Sequence, residues 1–354
     1  MSSSRLLAAP CPLDTVGRVT QRRVPGLDGL RGIAILAVIA AHNGPSYFWA
    51  AGQSGVILFF VLSGFLITRI LASQIEASGR VDYRAFYVRR AARLGPALLV
   101  YLAACLGFAL VARWDEVRTQ LEVLPYVLLY VINWRHISAP ESIPAPFGSL
   151  WSLAIEEQFY LIWPVILAAL LVRWRRRLVP AIVAGIAVSV LLRLSFSFHA
   201  DPAGHLRSYL ATDTNAFALL LGCGLALAGL HGWRPPRPAL MVAAGAGLFV
   251  ASAMWPLEWV RVFSGSALGV PAAMGAALLV AAVPHWGARV VDVAPLRFAG
   301  RIAYGWYLWH AFANWAVPGG RLVAALAGFG LAIASWYLVE SPVLRRVKRD
   351  RVPA

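Results

Sequence analysis

Ten apolar runs, each long enough to cross the hydrocarbon core of a bilayer, dominate this 354-residue chain. They lie near residues 28–45, 54–72, 95–112, 150–172, 178–196, 214–231, 239–257, 265–284, 302–318 and 322–340. A spanning helix needs about 17–25 predominantly apolar residues, because the membrane core is about 30 Å thick and each residue rises about 1.5 Å. An eleventh run, 123–133, is too short to cross and has the length of a re-entrant or interfacial segment. Composition agrees: 60% of residues are hydrophobic and 14% charged, where soluble domains carry about 25% charged residues. A disordered, fibrous or ordinary cytosolic chain is excluded. The expected fold is an all-α integral membrane bundle of about ten transmembrane helices, apolar outside as well as inside.

Charge placement tests that count independently, since cytoplasmic loops are enriched in Lys and Arg. With the N-terminus inside and 123–133 not crossing, twenty-four basic residues fall inside and seven outside, with Arg31 within the first span. A crossing by 123–133 would move the cluster at 173–177 outside and erase the bias. Both termini are therefore expected in the cytoplasm. The net charge of +16 then reads as a topology signal facing anionic lipid and cytosolic anions, with no nucleic-acid partner. Residues 1–27 are read as a basic cytoplasmic segment without a secretory signal, 28–340 as one transmembrane domain and 341–354 as a basic cytoplasmic tail. Cys11, Cys105 and Cys223 have neither disulfide-framework nor zinc spacing, and no metal site is expected.

Ionisable side chains inside a span cost several kcal/mol by insertion scales and so point to function. Arg31 and His42, eleven residues apart, face the same side of a helix about 16 Å from one another. They read either as a snorkelling arginine with an interfacial histidine or as an anion-binding group with a general base. Ser152, Glu156 and Tyr160 follow at i, i+4 and i+8, one polar stripe that suits either a helix contact or a site. Glu157, on a neighbouring bearing, is expected to point elsewhere. Arg90 and Arg93, at i and i+3 just before the third span, suit a phosphorylated donor or plain topological anchoring. His310 lies within the ninth run, and Ser63-Gly64 permits close helix approach. Asp213 and Asn215 read first as an N-cap, and Glu340-Ser341-Pro342 as a helix terminator.

Taken in order, Arg31-x10-His42, the FFVLSGFLIT run at 59–68, Arg90-x-x-Arg93, SLAIEEQFYLIWP at 152–164, YLWH at 307–310 and the closing ES-P resemble the acyltransferase 3 family of membrane acyltransferases. The resemblance covers residues 25–345, and the order makes it specific. It implies that His42 and Arg31 are the essential pair, that Arg90 and Arg93 serve acyl-CoA, and that Ser152, Glu156 and Tyr160 form a further polar motif. It implies a multi-pass protein of a bacterial inner (plasma) membrane. Some relatives append a soluble extracytoplasmic domain; with nothing after residue 354, the resemblance is to the stand-alone branch. Such members acylate surface glycans, lipid-linked sugars or glycosylated macrolide-type metabolites.

The expected chemistry is transfer of an acyl group, acetyl first among them, from acyl-CoA as co-substrate to a hydroxyl of a carbohydrate-containing acceptor, with no permanently bound cofactor. His42 serves as general base or as a transient acyl carrier, with Glu156 as a further catalytic candidate. Ser152, Tyr160, His310 and Ser63 are further site candidates. The rival reading is a proton-coupled transporter or flippase, which also uses intramembrane Arg, His and Glu; a structural scaffold leaves the buried charges unexplained. The topology is directly testable. A cysteine placed at position 175 is expected to resist an impermeant thiol reagent applied from outside, and strong labelling from that side would overturn the ten-span reading.

Overall fold

The computed structural model describes residues 23–198, 202–255 and 267–349. The expectations for Arg5, Cys11, Arg18, Arg22, Arg261 and Arg351 lie outside the described residues, as do most of the N-terminal segment and the end of the tail. Among the described residues the chain is helical throughout, with no strand. In chain order the helices are α1 (Leu27–Asn43), α2 (Trp49–Ser78), α3 (Tyr83–Ala112), α4 (Trp114–Leu128), α5 (Ile132–Ser138), α6 (Trp151–Val172) and α7 (Leu178–Ser197). They continue as α8 (Pro202–Leu210), α9 (Thr212–Leu230), α10 (Pro238–Ala253), α11 (Gly269–Ala282), α12 (Ala288–Val291), α13 (Ala294–Ala316), α14 (Arg321–Ser335) and α15 (Ser341–Arg349).

Within the described residues, each of the ten apolar runs overlaps one of these helices. Among the described residues six helical segments are long and apolar enough to cross a membrane: Ser46–Ser78, Tyr83–Ala112, Ala145–Val172, Arg175–Ser197, Ala203–Leu230 and Arg321–Val347. The other four runs fall short for identifiable reasons. α1 is 17 residues long and carries Arg31 and His42 among its apolar residues, α13 carries Arg297 and Arg301, and α10 and α11 are short within the described residues. Outward-facing positions stay apolar, with Leu99, Val111, Leu161, Val165, Leu191 and Leu322 all exposed. A soluble bundle turns charged residues outward; this one presents hydrocarbon on both sides of its helices, which suits lipid.

Three expectations need correcting. The third helix starts at Tyr83, so Arg90 and Arg93, read from sequence as neighbours on a helical face just before the third span, belong to the body of α3; Asp82 caps it by accepting from the Ala85 amide at 2.9 Å. Asp213 and Asn215 do not cap α9, whose N-cap is Ala211. Asp213 instead takes a two-pronged ion pair from Arg207, at 2.7 and 2.6 Å, and Asn215 accepts from Arg193 at 2.8 Å. Arg193, counted from sequence among the residues on the outside, is fully buried. At 335–341 the helix does not stop: a π-helical turn, Trp336–Glu340, joins α14 to α15.

The eleventh apolar run does not form one helix. Tyr130 takes a left-handed conformation, φ 54°, which costs a residue with a Cβ about 1–2 kcal/mol. Gln158 on α6 offsets that cost by donating to the Tyr130 carbonyl at 2.6 Å and to Asn133 Oδ1 at 2.9 Å. The corner between α4 and α5 is thereby pinned next to the glutamates of α6.

Two backbone-on-backbone contacts set the core. On α2, a Cβ at Gly64 would lie 1.9 Å from the Leu219 carbonyl oxygen of α9, and one at Gly222 would lie 2.0 Å from that of Val61. This is the close approach expected of Ser63-Gly64. On α1, a Cβ at Gly32 would lie 2.2 Å from the Leu296 carbonyl oxygen. Asp28 meets Gly300 at one end of the α1–α13 pair and His42 meets His310 at the other, so these two helices run parallel. Gly64→Val is expected to force α2 and α9 apart at a cost of about 1–3 kcal/mol, read as a lowered thermal transition in detergent. Gly107→Ala, with open space at its Cβ position, is expected to leave that transition unchanged.

Candidate active site

A cavity of about 460 Å³ opens between α1, α2, α3, α6, α13 and the α14–α15 turn. Its wall includes Arg31, Ser63, Arg90, Arg93, Ser152, Glu156 and Tyr160. Seven of the residues singled out from sequence thus come together from four helices. Phe59, Phe60, Ile67 and Ile70 supply its apolar side. The stripe on α6 faces inward because its i, i+4, i+8 spacing keeps three side chains on one bearing.

One cluster of charges is fully engaged. Arg90 donates to Glu157 Oε1 from Nε at 2.8 Å and from Nη2 at 2.6 Å. Its Nη2 lies 3.8 Å from Glu156 Oε2, and its guanidinium lies 3.4 Å above the Tyr160 ring. Ser63 donates to the other oxygen of Glu156 at 2.8 Å. Glu157 therefore does not point away from the stripe, as the sequence reading expected. Neighbouring helical residues diverge by about 100°, but the planar fork of one arginine reaches both carboxylates. All three side chains are largely buried, between 13% and 18% exposed.

The other guanidinium groups in the wall are unpaired. Among the described residues Arg31, Arg93 and Arg301 form no ion pair, and Arg31 Nε is buried with no hydrogen-bond partner. Asp28, also in the wall, is engaged by Arg23 at 2.7 Å. Glu340 is buried and accepts from Ser335 Oγ at 3.1 Å. Three free guanidinium groups against one free carboxylate make the cavity a place for an anion-bearing ligand.

At its far end the wall contains Tyr307, whose hydroxyl lies 2.5 Å from Ser152 Oγ and 2.6 Å from the Ser149 carbonyl oxygen. The Tyr307 ring is 5.6 Å from that of His310, and the His310 ring meets His42 edge-on at 4.8 Å. His42 itself lies outside the cavity wall and is exposed. Its Nδ1 faces the Val38 carbonyl oxygen at 2.9 Å. A carbonyl only accepts, so Nδ1 carries the proton and Nε2 presents its lone pair. His310 is buried, faces the Trp306 carbonyl in the same way at 3.3 Å, and its Nε2 has no partner.

Sequence reading singled out nine site residues and passed over Glu157, Arg301, Tyr307 and Glu340. A signal for Tyr307 existed, since it stands three residues before His310 and so on the same face of α13. Nothing local distinguished Arg301 from an anchoring arginine.

A helical membrane bundle with a charged internal cavity and a histidine pair packed next to one of its wall residues, Tyr307, defines the class. The chain belongs to the acyltransferase 3 family, whose acyltransferase domain matches residues 24–340. It is 34% identical over 315 residues to the peptidoglycan O-acetyltransferase OatA of Listeria monocytogenes, covering 83% of this chain and 50% of that one. It is 36% identical over 313 residues to YrhL of Bacillus subtilis, provisionally named a peptidoglycan O-acetyltransferase, covering 82% of this chain and 48% of the other. A Staphylococcus aureus protein provisionally named an O-acetyltransferase is 31% identical over 311 residues, covering 82% of this chain and 50% of its own length. The chain spans about half the length of the curated relatives it matches. No solved structure matches it significantly.

Arg90 and Arg93, alike in sequence, are expected to behave differently. Arg90→Ala strands two buried carboxylates, a loss of about 3–5 kcal/mol for a broken buried pair, and should sharply reduce monodisperse protein on size exclusion. Arg93→Ala breaks no ion pair and should fold. Equal loss in both variants would contradict this division.

Proposed function

We propose that the chain is a membrane O-acyltransferase that moves an acyl group, acetyl in keeping with the names of its relatives, from acyl-CoA to a hydroxyl of a carbohydrate-containing acceptor. The observation that carries this reading is the set of unpaired guanidinium groups in a cavity whose wall includes Ser152 and Tyr307, with the histidine pair next to Tyr307 and outside that wall. Donor phosphates pair with Arg93 and Arg31, with Arg301 beside them; Arg90, held by Glu157 and Glu156, shapes the wall. The acyl end then reaches toward Ser152 and Tyr307. A glycan acceptor follows the peptidoglycan named for the Listeria relative. Ten spans with both termini cytoplasmic, in a bacterial inner membrane, place the arginine-lined end of the cavity where acyl-CoA is made.

The chemistry needs one base. The acceptor hydroxyl oxygen attacks the thioester carbonyl carbon, a C–O bond forms, and the C–S bond breaks with loss of the CoA thiolate. His42 Nε2 takes the hydroxyl proton and returns it to the sulfur, so the products are an ester and free CoA thiol. His310 packs against the ring and keeps it in place.

The test is acceptor-dependent thiol release by the purified protein with acetyl-CoA and an N-acetylglucosamine oligosaccharide. His42→Ala and His42→Gln are both expected to lose 10²–10⁴-fold in turnover, the usual worth of general-base catalysis, while remaining folded. Gln hydrogen-bonds but takes up no proton. Turnover by His42→Gln within a factor of a few of the parent would end the assignment, and acceptor uptake without thiol release would mark a carrier.

A further inference from the structure

The closing ES-P motif is not used by the chemistry above, yet the structure turns its glutamate into the cavity. A regular α-helix through 335–341 becomes π-helical over Trp336–Glu340, a rare geometry frequently found at functional sites. The extra residue in that turn rotates Glu340 against α13. There Gly305 makes the room: a Cβ at 305 would lie 2.7 Å from Glu340 Oε1, while its next neighbours, the Ala332 carbonyl oxygen and Ser335 Oγ, would be 3.6 and 3.7 Å away. Glu340 is 3% exposed and lines the cavity.

A carboxylate has about four acceptor positions, and the Ser335 hydroxyl fills one. No cation pairs with Glu340 among the described residues, although Arg93 lies within electrostatic reach on α3. The flanking wall is apolar, with Trp336 and Leu344 on either side in the chain. A buried carboxylate in such a place requires hydrogen-bond donors to offset lost hydration. It also repels phosphate. The ligand that satisfies this cavity thus carries anionic groups for Arg31, Arg93 and Arg301 and, at a separate point along its length, uncharged N–H or O–H donors for Glu340. Acetyl phosphate offers the first without the second.

We propose that Glu340 is a specificity-determining residue that recognises the pantetheine arm of the donor, accepting hydrogen bonds from its amide N–H and hydroxyl groups. The proposal rests on the acyl-CoA reading above and divides the donor between two subsites, phosphates on the free arginines and arm on Glu340.

Binding to the purified full chain in detergent separates the two. Isothermal titration with acetyl-CoA, with D-pantetheine (arm without nucleotide) and with adenosine 3′,5′-bisphosphate (phosphates without arm) gives the dissociation constants. Glu340→Ala is expected to raise the constant for pantetheine about tenfold and leave that for the bisphosphate unchanged; Arg93→Ala is expected to do the reverse. Gly305→Ala, whose new methyl displaces only the end of the Glu340 side chain, should reproduce the Glu340→Ala pattern without removing the carboxylate. Absent pantetheine binding by the parent, or equal effects of Glu340→Ala on both fragments, would overturn the subsite. Failure of the parent to bind acetyl-CoA would instead overturn the donor reading itself.

Discussion

The structure turns on the engagement of Arg90 by two glutamates and a tyrosine. Guanidinium and carboxylates are costly to remove from water, and their mutual attraction repays that cost only when the geometry is good. Here one planar fork meets Glu157 twice, lies near Glu156 and covers the face of Tyr160. The cluster ties α3 to α6, and through Ser63 it reaches α2. Three helices that form the cavity wall are therefore held by polar contacts of defined direction, in a bundle where apolar packing against lipid gives little preference for one rotation over another.

Because Arg90 is consumed in this way, the other arginines stand free. Arg31, Arg93 and Arg301 come from α1, α3 and α13 and share one cavity without a carboxylate partner. Unpaired cations at close quarters repel, and an anionic ligand relieves that repulsion. The same arrangement leaves Glu340 as a buried acceptor with no ion pair among the described residues, within electrostatic reach of Arg93. The wall thus offers both cations and an acceptor, and a ligand that carries anionic groups together with neutral donors fits it better than a small anion does.

The parallel pairing of α1 with α13 connects this cavity to the histidines. Glycines at 32 and 300 let the two backbones touch, and a contact so close fixes the register along the whole pair. Arg31 then opens into the cavity at one level, while His42 meets His310 further along the same helices. Tyr307, one turn before His310 and bonded to Ser152, stands between the two levels. On the proposed reading, donor binding and base catalysis are separated along the membrane normal by the length of α1.

The apolar runs, their lengths and the arginine asymmetry by themselves determined that the chain is a helical membrane protein, and the ordered motifs determined its family. Both are one-dimensional properties: hydrophobic length and charge placement act through the bilayer, whatever the neighbours of a helix are. The inward stripe of Ser152, Glu156 and Tyr160 was legible for the same reason, since helical period alone puts the three on one face. What only the tertiary structure decided was which charges cancel. Arg90 and Arg93 differ because Glu157 lies within reach of one and not the other, a consequence of how α3 crosses α6. Glu340 reads as a terminator until the π-helical turn and the gap at Gly305 swing it inward, and Arg193 is only one of the outside arginines until the packing of α7 buries it and sets it against Asn215. Pairing and burial are relations between distant segments, set by crossing angle and register, and no local pattern encodes them.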